Sequence, residues 1–303
     1  DYPRDLVKQT SARIVEVLAR GNRRRKLDAE CLGDLRALGE RLFVTLVPPA
    51  VREDLGKVGQ APLLLEIDEE LVGVPWELLF DGEAFFCLRY DLGRAVATPQ
   101  ARLGPSAEKL GSPVRVLVLC NDREGDPDLA QVGAEGQAIV DTLSAHAEVS
   151  VRLCLDKPRE FVTRVLKDYD LVHFAGHADY DVNDPGASGW HLDDGKLSAK
   201  DITELAGGRP LPLIVFSNAC QSSHTQTWRA DDSSPVFGLA NAFLLAGVRF
   251  YVGTQWDVVD LHSQGIASAF YAELARGRAL GAALRRARKA VIVAAGEGAL
   301  AWA

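Results

Sequence analysis

No apolar run in the 303-residue chain approaches the ~18 residues needed to cross a bilayer, and its start, Asp1-Tyr2-Pro3-Arg4-Asp5, has nothing of a secretory leader. A membrane partner is therefore not expected, and a cytoplasmic setting is the default. Methionine is absent altogether, which suggests a fragment or a processed chain and supports no further argument. Close cysteine pairs such as Cys-x-x-Cys are missing too. The five cysteines, at 31, 87, 120, 154 and 220, are an odd number that leaves no full disulfide set, so reduced thiols are expected. There is no Gly-x-Gly-x-x-Gly and no phosphate-loop lysine, so the sequence supports no nucleotide cofactor, and no metal is required. Positive charge is not in excess: the net charge is −8, which argues against a general affinity for nucleic acid, since phosphate contacts need clustered Lys and Arg. One basic cluster exists, Arg20-Gly21-Asn22-Arg23-Arg24-Arg25-Lys26. It reads as a solvated loop rather than an RNA contact.

What is present is ample core material, 47% hydrophobic residues in a length that allows one large or two modest domains. Helices are expected over residues 4–20 and from 28 to about 43, where Leu and other apolar residues recur near helical spacing, and Pro48-Pro49 should end the second. Residues 63–67 and 70–74 read as a hairpin turned at Asp68-Glu69, followed by a short helical turn at 76–79 and a further strand pair around Asp81-Gly82 and Phe85-Phe86-Cys87-Leu88. Trp76 reads as a packing residue. A stretch rich in Gly, Pro and Ser between Leu103 and Pro113 marks a boundary, giving a supporting region at 1–110 and a core at 111–303. Beyond it strands and helices alternate: strands at 114–120, 148–155, 171–177, 213–220 and 249–256, with helices between and after them. That alternation predicts an α/β fold, a parallel sheet with helices on both faces, preceded by a smaller α+β region.

Two of these strands end on residues with chemistry. Leu171-Val172-His173-Phe174-Ala175-Gly176 runs to His177, and Leu213-Ile214-Val215-Phe216-Ser217-Asn218-Ala219 runs to Cys220. Reactive groups in parallel sheets collect at the carboxyl ends of strands, where side chains leave the packed sheet and meet the loops. An imidazole beside a thiol makes a nucleophile and its base, because the thiolate is the reactive form and the imidazole can take the thiol proton or stabilise the anion. Small and polar residues follow both ends, Ala178-Asp179 and Gln221-Ser222-Ser223, leaving room for a substrate. Cys120 also ends a strand, but the acidic loop after it disfavours a thiolate. Cys154 reads as core. His173 and His177 are too far apart on a strand, roughly 13 Å, to share an ion.

The segments His173-Phe174-Ala175-Gly176-His177 and Ser217-Asn218-Ala219-Cys220-Gln221-Ser222 resemble the His and Cys motifs of the CHAT proteases, caspase-like enzymes related to separases. The caspase signature itself, Gln-Ala-Cys with a His about 50 residues upstream, is matched loosely, by Asn-Ala-Cys. The resemblance extends through residues 237–248, Val252-Gly253-Thr254-Gln255-Trp256-Asp257 and Phe270-Tyr271-Ala272-Glu273-Leu274, and upstream to Val74-Pro75-Trp76-Glu77-Leu78-Leu79, covering about residues 61 to 290. It implies a caspase-like core and a cysteine endopeptidase acting on a protein substrate, with no cofactor and with a fused regulatory domain or activator protein as partner. His177 and Cys220 are the implied dyad, and the backbone N–H groups of Ala178 and Cys220 the oxyanion hole. The family usually has Gly at the position of Ala178, where a positive φ would strain alanine. The run Trp256-Asp257-Val258-Val259-Asp260 looks like the separase version of the pocket strand, and this implies that Asp257 or Asp260, beside Trp256, accepts a basic residue at P1. The alternative is a caspase-like scaffold or sensor that binds without cutting.

Overall fold

The computed structural model describes residues 2–97, 111–121, 132–181, 183–207, 209–219, 238–254 and 263–303. In chain order the elements are α1 (Arg4–Arg24), α2 (Ala29–Leu46), α3 (Pro49–Lys57), β1 (Pro62–Asp68), α4 (Phe86–Arg89), β2 (Asp91–Ala97), β3 (Val114–Cys120), α5 (Val132–Ser144), β4 (Val149–Leu155) and α6 (Arg159–Val165). There follow β5 (Leu171–Ala175), β6 (Ala178–Asp179), β7 (Gly189–Leu192), β8 (Gly195–Ser198), α7 (Ala199–Glu204), β9 (Ile214–Asn218), α8 (Leu239–Leu245), β10 (Phe250–Gly253), α9 (Ser263–Ala275) and α10 (Leu280–Ala295). Contacts group the chain into two compact units, residues 1–98 with 258–303, and residues 99–257. The last two helices thus pack with the first part of the chain.

In the first unit α1 and α2 pair through Ile14, Leu18, Leu35 and Leu42, all buried. The Asp28 carboxylate caps α2 by accepting the Cys31 N–H at 2.9 Å. This and the Arg24 guanidinium hold the Asp28 carboxyl down at about 2. The basic cluster is the last turn of α1 rather than a loop, and its Arg20 and Arg24 pair with Asp34 and Asp28. Pro49 does not merely stop α2; it opens α3 at its first turn, where a missing N–H costs nothing. The expected hairpin is absent. Residues 69–71 form a helical turn, and β1 instead pairs in parallel with β2, from Pro62 opposite Asp91 to Asp68 opposite Ala97. Residues 86–89 are the short helix α4 and not a strand, because four apolar residues fit either period and only the surrounding core decides. That core holds Phe86, Tyr90, Phe270, Tyr271 and Trp302. Trp76 is buried with its indole N–H on the Leu71 carbonyl at 3.0 Å, a packing residue.

The second unit is built on a five-stranded parallel sheet in the order β10-β9-β5-β3-β4. One face carries Leu117, Leu119, Val172, Phe174, Val215 and Ala219 and is covered by α6, α7 and α8 through Val162, Ile202, Leu239 and Phe243. The other face carries α5. Gly136 sets the helix close there: a Cβ at this position would overlap Cys120 Sγ and lie 2.8 Å from Leu153 Cδ1. Between β5 and β9 the chain makes a feature the sequence did not announce, a three-stranded antiparallel sheet β6-β7-β8 followed by α7.

Candidate active site

The strand order turns back on itself at β3, which lies between β4 and β5, so the carboxyl ends of β3 and β5 bound the crevice where open α/β sheets hold their ligands, and β9 is the next strand beyond β5. His177 lies just past the end of β5, partly buried, and its carbonyl accepts the His191 N–H at 2.9 Å. It follows Gly176, whose φ is +157° and whose missing Cβ would lie 3.0 Å from the Phe174 ring and 3.3 Å from Asn121. A larger residue there would push the histidine turn off the sheet.

β5 and β9 pair in parallel with one register throughout: His173 faces Phe216 and Ala175 faces Asn218, each partner 43 residues further on. Cys220 is also 43 residues after His177. The ladder extends one bond past the strands, with the Gly176 N–H on the Asn218 carbonyl at 3.4 Å. Cys220 itself lies outside the described residues, as do Trp256, Asp257 and Asp260 of the expected pocket. On the far side, the Thr254 hydroxyl donates to the Ala219 carbonyl, tying β9 to the end of β10 one residue before Cys220.

Ala178 begins β6 opposite Trp190, with φ not positive, so the strain expected of alanine in place of glycine does not arise. The His177–His191 bond brackets that pair, which makes it a non-hydrogen-bonded one and directs the Ala178 N–H away from β7, off the outer edge of the small sheet. Trp190 holds this sheet to the strand leading to Cys220. Its indole N–H donates to Ser217 Oγ at 2.8 Å, and its ring stacks on Phe174 with centroids 4.4 Å apart. The Asp179 carboxylate binds Lys196 Nζ at 2.6 Å and lies 3.4 Å from His191 Nε2.

The remaining cysteines, Cys31, Cys87, Cys120 and Cys154, are buried and form no disulfide. Cys120, the rival nucleophile, is 2% exposed beneath Gly136. Sequence reasoning missed a further group. Glu135 of α5 is buried, with Oε1 at 2.9 Å from His173 Nε2 and both carboxylate oxygens at 2.8 Å from Asn218 Nδ2. The available signal was periodicity, because Glu135, Gly136, Ile139 and Leu143 share the buried face of α5.

A parallel sheet in this order, helices on both faces and a histidine past the strand beside the topological turn define a caspase-like α/β fold. The crystal structure of gingipain R, an Arg-specific cysteine proteinase, is similar with a TM-score of 0.53 at 11% identity, over 97% of this chain and 73% of that one. The Saccharomyces cerevisiae separase–securin complex gives a TM-score of 0.42 at 17% identity over 61% of this chain, which spans 11% of the separase chain. No curated protein matches. The chain belongs to the CHAT domain family, whose pattern it matches over residues 36–302.

Proposed function

We propose that this chain is a cysteine endopeptidase that cleaves a protein substrate through His177 and Cys220. The observation that carries the reading is the register of β5 on β9: the same 43-residue step that pairs Ala175 with Asn218 separates His177 from Cys220. Neighbouring strands lie about 4.8 Å apart, within reach of a thiol–imidazole contact at their ends. Cys220 attacks the scissile carbonyl, His177 passes the proton to the leaving amine, and water then hydrolyses the thioester with His177 as base. The N–H groups of Ala178 and Cys220 stabilise the oxyanion; the edge position of Ala178 and its unstrained backbone support this role. An acidic residue, Asp257 or Asp260, beside Trp256, selects a basic P1 side chain. A regulatory domain or activator protein governs the activity.

Labelling with peptidyl acyloxymethyl ketones carrying Arg, Asp or Leu at P1 tests the reading. Wild type should be labelled by the Arg probe, with labelling lost in Cys220→Ala and His177→Ala. Preference for Asp or Leu sinks the basic pocket. A wild type that no probe labels, even beside candidate activators, sinks the protease and leaves the scaffold.

A further inference from the structure

The proposed chemistry makes no use of Glu135, a carboxylate 3% exposed in the second unit. A carboxylate in such a place is costly unless donors surround it. Here they do: Asn218 Nδ2 donates to Oε1 and to Oε2 at 2.8 Å, and His173 Nε2 lies 2.9 Å from Oε1. His173 is itself stacked on Phe216, centroids 5.1 Å apart. The other buried positions of α5 are Gly136, Ile139 and Leu143, so an apolar residue at 135 would serve packing alone.

What sets Glu135 apart is where its partners stand. His173 lies four residues before His177 on β5, and Asn218 two residues before Cys220 on β9. One side chain on α5 therefore grips both strands at the approach to both members of the dyad. Asn218 is held twice over, by Glu135 at its side chain and by the Gly176 N–H at its carbonyl. We infer that Glu135 is a positioning residue, which through Asn218 and His173 holds the end of β9 in register with the end of β5 and so keeps the thiol against the imidazole. This inference rests on the dyad proposed above.

The test is built on donor and acceptor polarity. Glu135→Gln keeps the volume and one acceptor oxygen but replaces the other by an NH2 group that faces the Asn218 amide, donor against donor; adding Asn218→Asp gives that NH2 group an acceptor again. Asn218→Ala is a further variant that leaves the Glu135–His173 contact in place should Glu135→Gln fold poorly. Two readouts are taken on the full chain: kcat and KM on a peptide reporter, and the pH profile of Cys220 alkylation by iodoacetamide, with His177→Ala as reference.

The expected result for Glu135→Gln and Asn218→Ala is a fall in kcat of about tenfold or more with KM little changed, since displaced reacting groups lose rate rather than binding. The alkylation midpoint should move toward that of His177→Ala, and E135Q/N218D should recover most of both. Unchanged kcat and midpoint in folded Glu135→Gln, or no recovery in the double variant, overturns the inference. Should wild type cut no peptide, the protease reading fails while alkylation still judges Glu135: a profile matching wild type overturns its role, and one matching His177→Ala supports it. A wild-type profile identical to that of His177→Ala overturns both.

Discussion

Burial sorts the thiols before any chemistry is considered. Cys31, Cys87, Cys120 and Cys154 are each under a tenth exposed, and burial pushes the Cys87 thiol up to about 11. Alkylation of the native protein at neutral pH should therefore leave all four unmodified, and Cys220→Ala should abolish native labelling; peptide mass mapping reads this, and early labelling of Cys120 would return it to candidacy as nucleophile. Trp190 offers a second prediction. Trp190→Phe keeps an aromatic ring on Phe174 but removes the donor to buried Ser217 Oγ, for an expected loss of about 1–2 kcal/mol in urea unfolding. Activity should fall further than that loss of stability accounts for, because Ala178 pairs with Trp190 across the small sheet.

At the scale of elements, α5 depends on a close approach that only glycine permits. Gly136→Ala sets a methyl against Cys120 Sγ and Leu153, and overpacking of this kind costs about 1–3 kcal/mol. Lifting α5 also withdraws Glu135, so the variant should lose activity at temperatures where it remains folded, measured by circular dichroism beside peptide turnover. The parallel sheet was legible in the sequence because its buried strands are continuous apolar runs, and β3 occupies the span read for it, Val114–Cys120. His177 was read as the last residue of a strand at 171–177, whereas β5 ends at Ala175 and His177 lies two residues beyond it, after the turn at Gly176. The partner of β1 was not legible. An isolated Leu-rich run carries no mark of what it pairs with, and β2 lies beyond a short helix and an isolated bridge between Phe80 and Phe85. The β6-β7-β8 sheet escaped notice because strands of two to four residues are too short to establish a period. Glu135 escaped because a single charge within an amphipathic helix reads as solvent-facing until the face is counted.

At the scale of the whole molecule, acid should loosen the base of the sheet, the end opposite the proposed chemistry. Asp170 accepts from the Arg115 backbone N–H at 2.8 Å and from its guanidinium at 3.1 and 2.8 Å, tying the start of β3 to the start of β5. The guanidinium bonds hold the Asp170 carboxyl below its usual range, against the opposing pull of burial. A depressed carboxyl contributes stability that is present above its unfolded value, about 3.9, and is lost as pH falls through the lower folded value. Asp170→Asn should therefore be less stable than wild type at pH 6, with the difference shrinking toward pH 2 in urea titrations. A gap that stays constant with pH would show that the pair contributes nothing through its charge.

The first unit is completed by residues 258–303. Arg285 of α10, 3% exposed, binds Asp91 at the head of β2 at 2.7 Å, Gly281 lies against the backbone of Asp91, and Trp302 packs on Phe85. During synthesis, residues 1–98 emerge before residues 99–257 but lack these partners until everything between has been made, whereas residues 99–257 group as one compact unit contiguous in sequence. Domains fold as units while the chain emerges. The segment bearing the proposed dyad can thus reach its structure on the ribosome while the part made before it is still waiting for α10. A chain stopped at residue 257 should show this by losing α1 and α2 to trypsin while the parallel sheet resists.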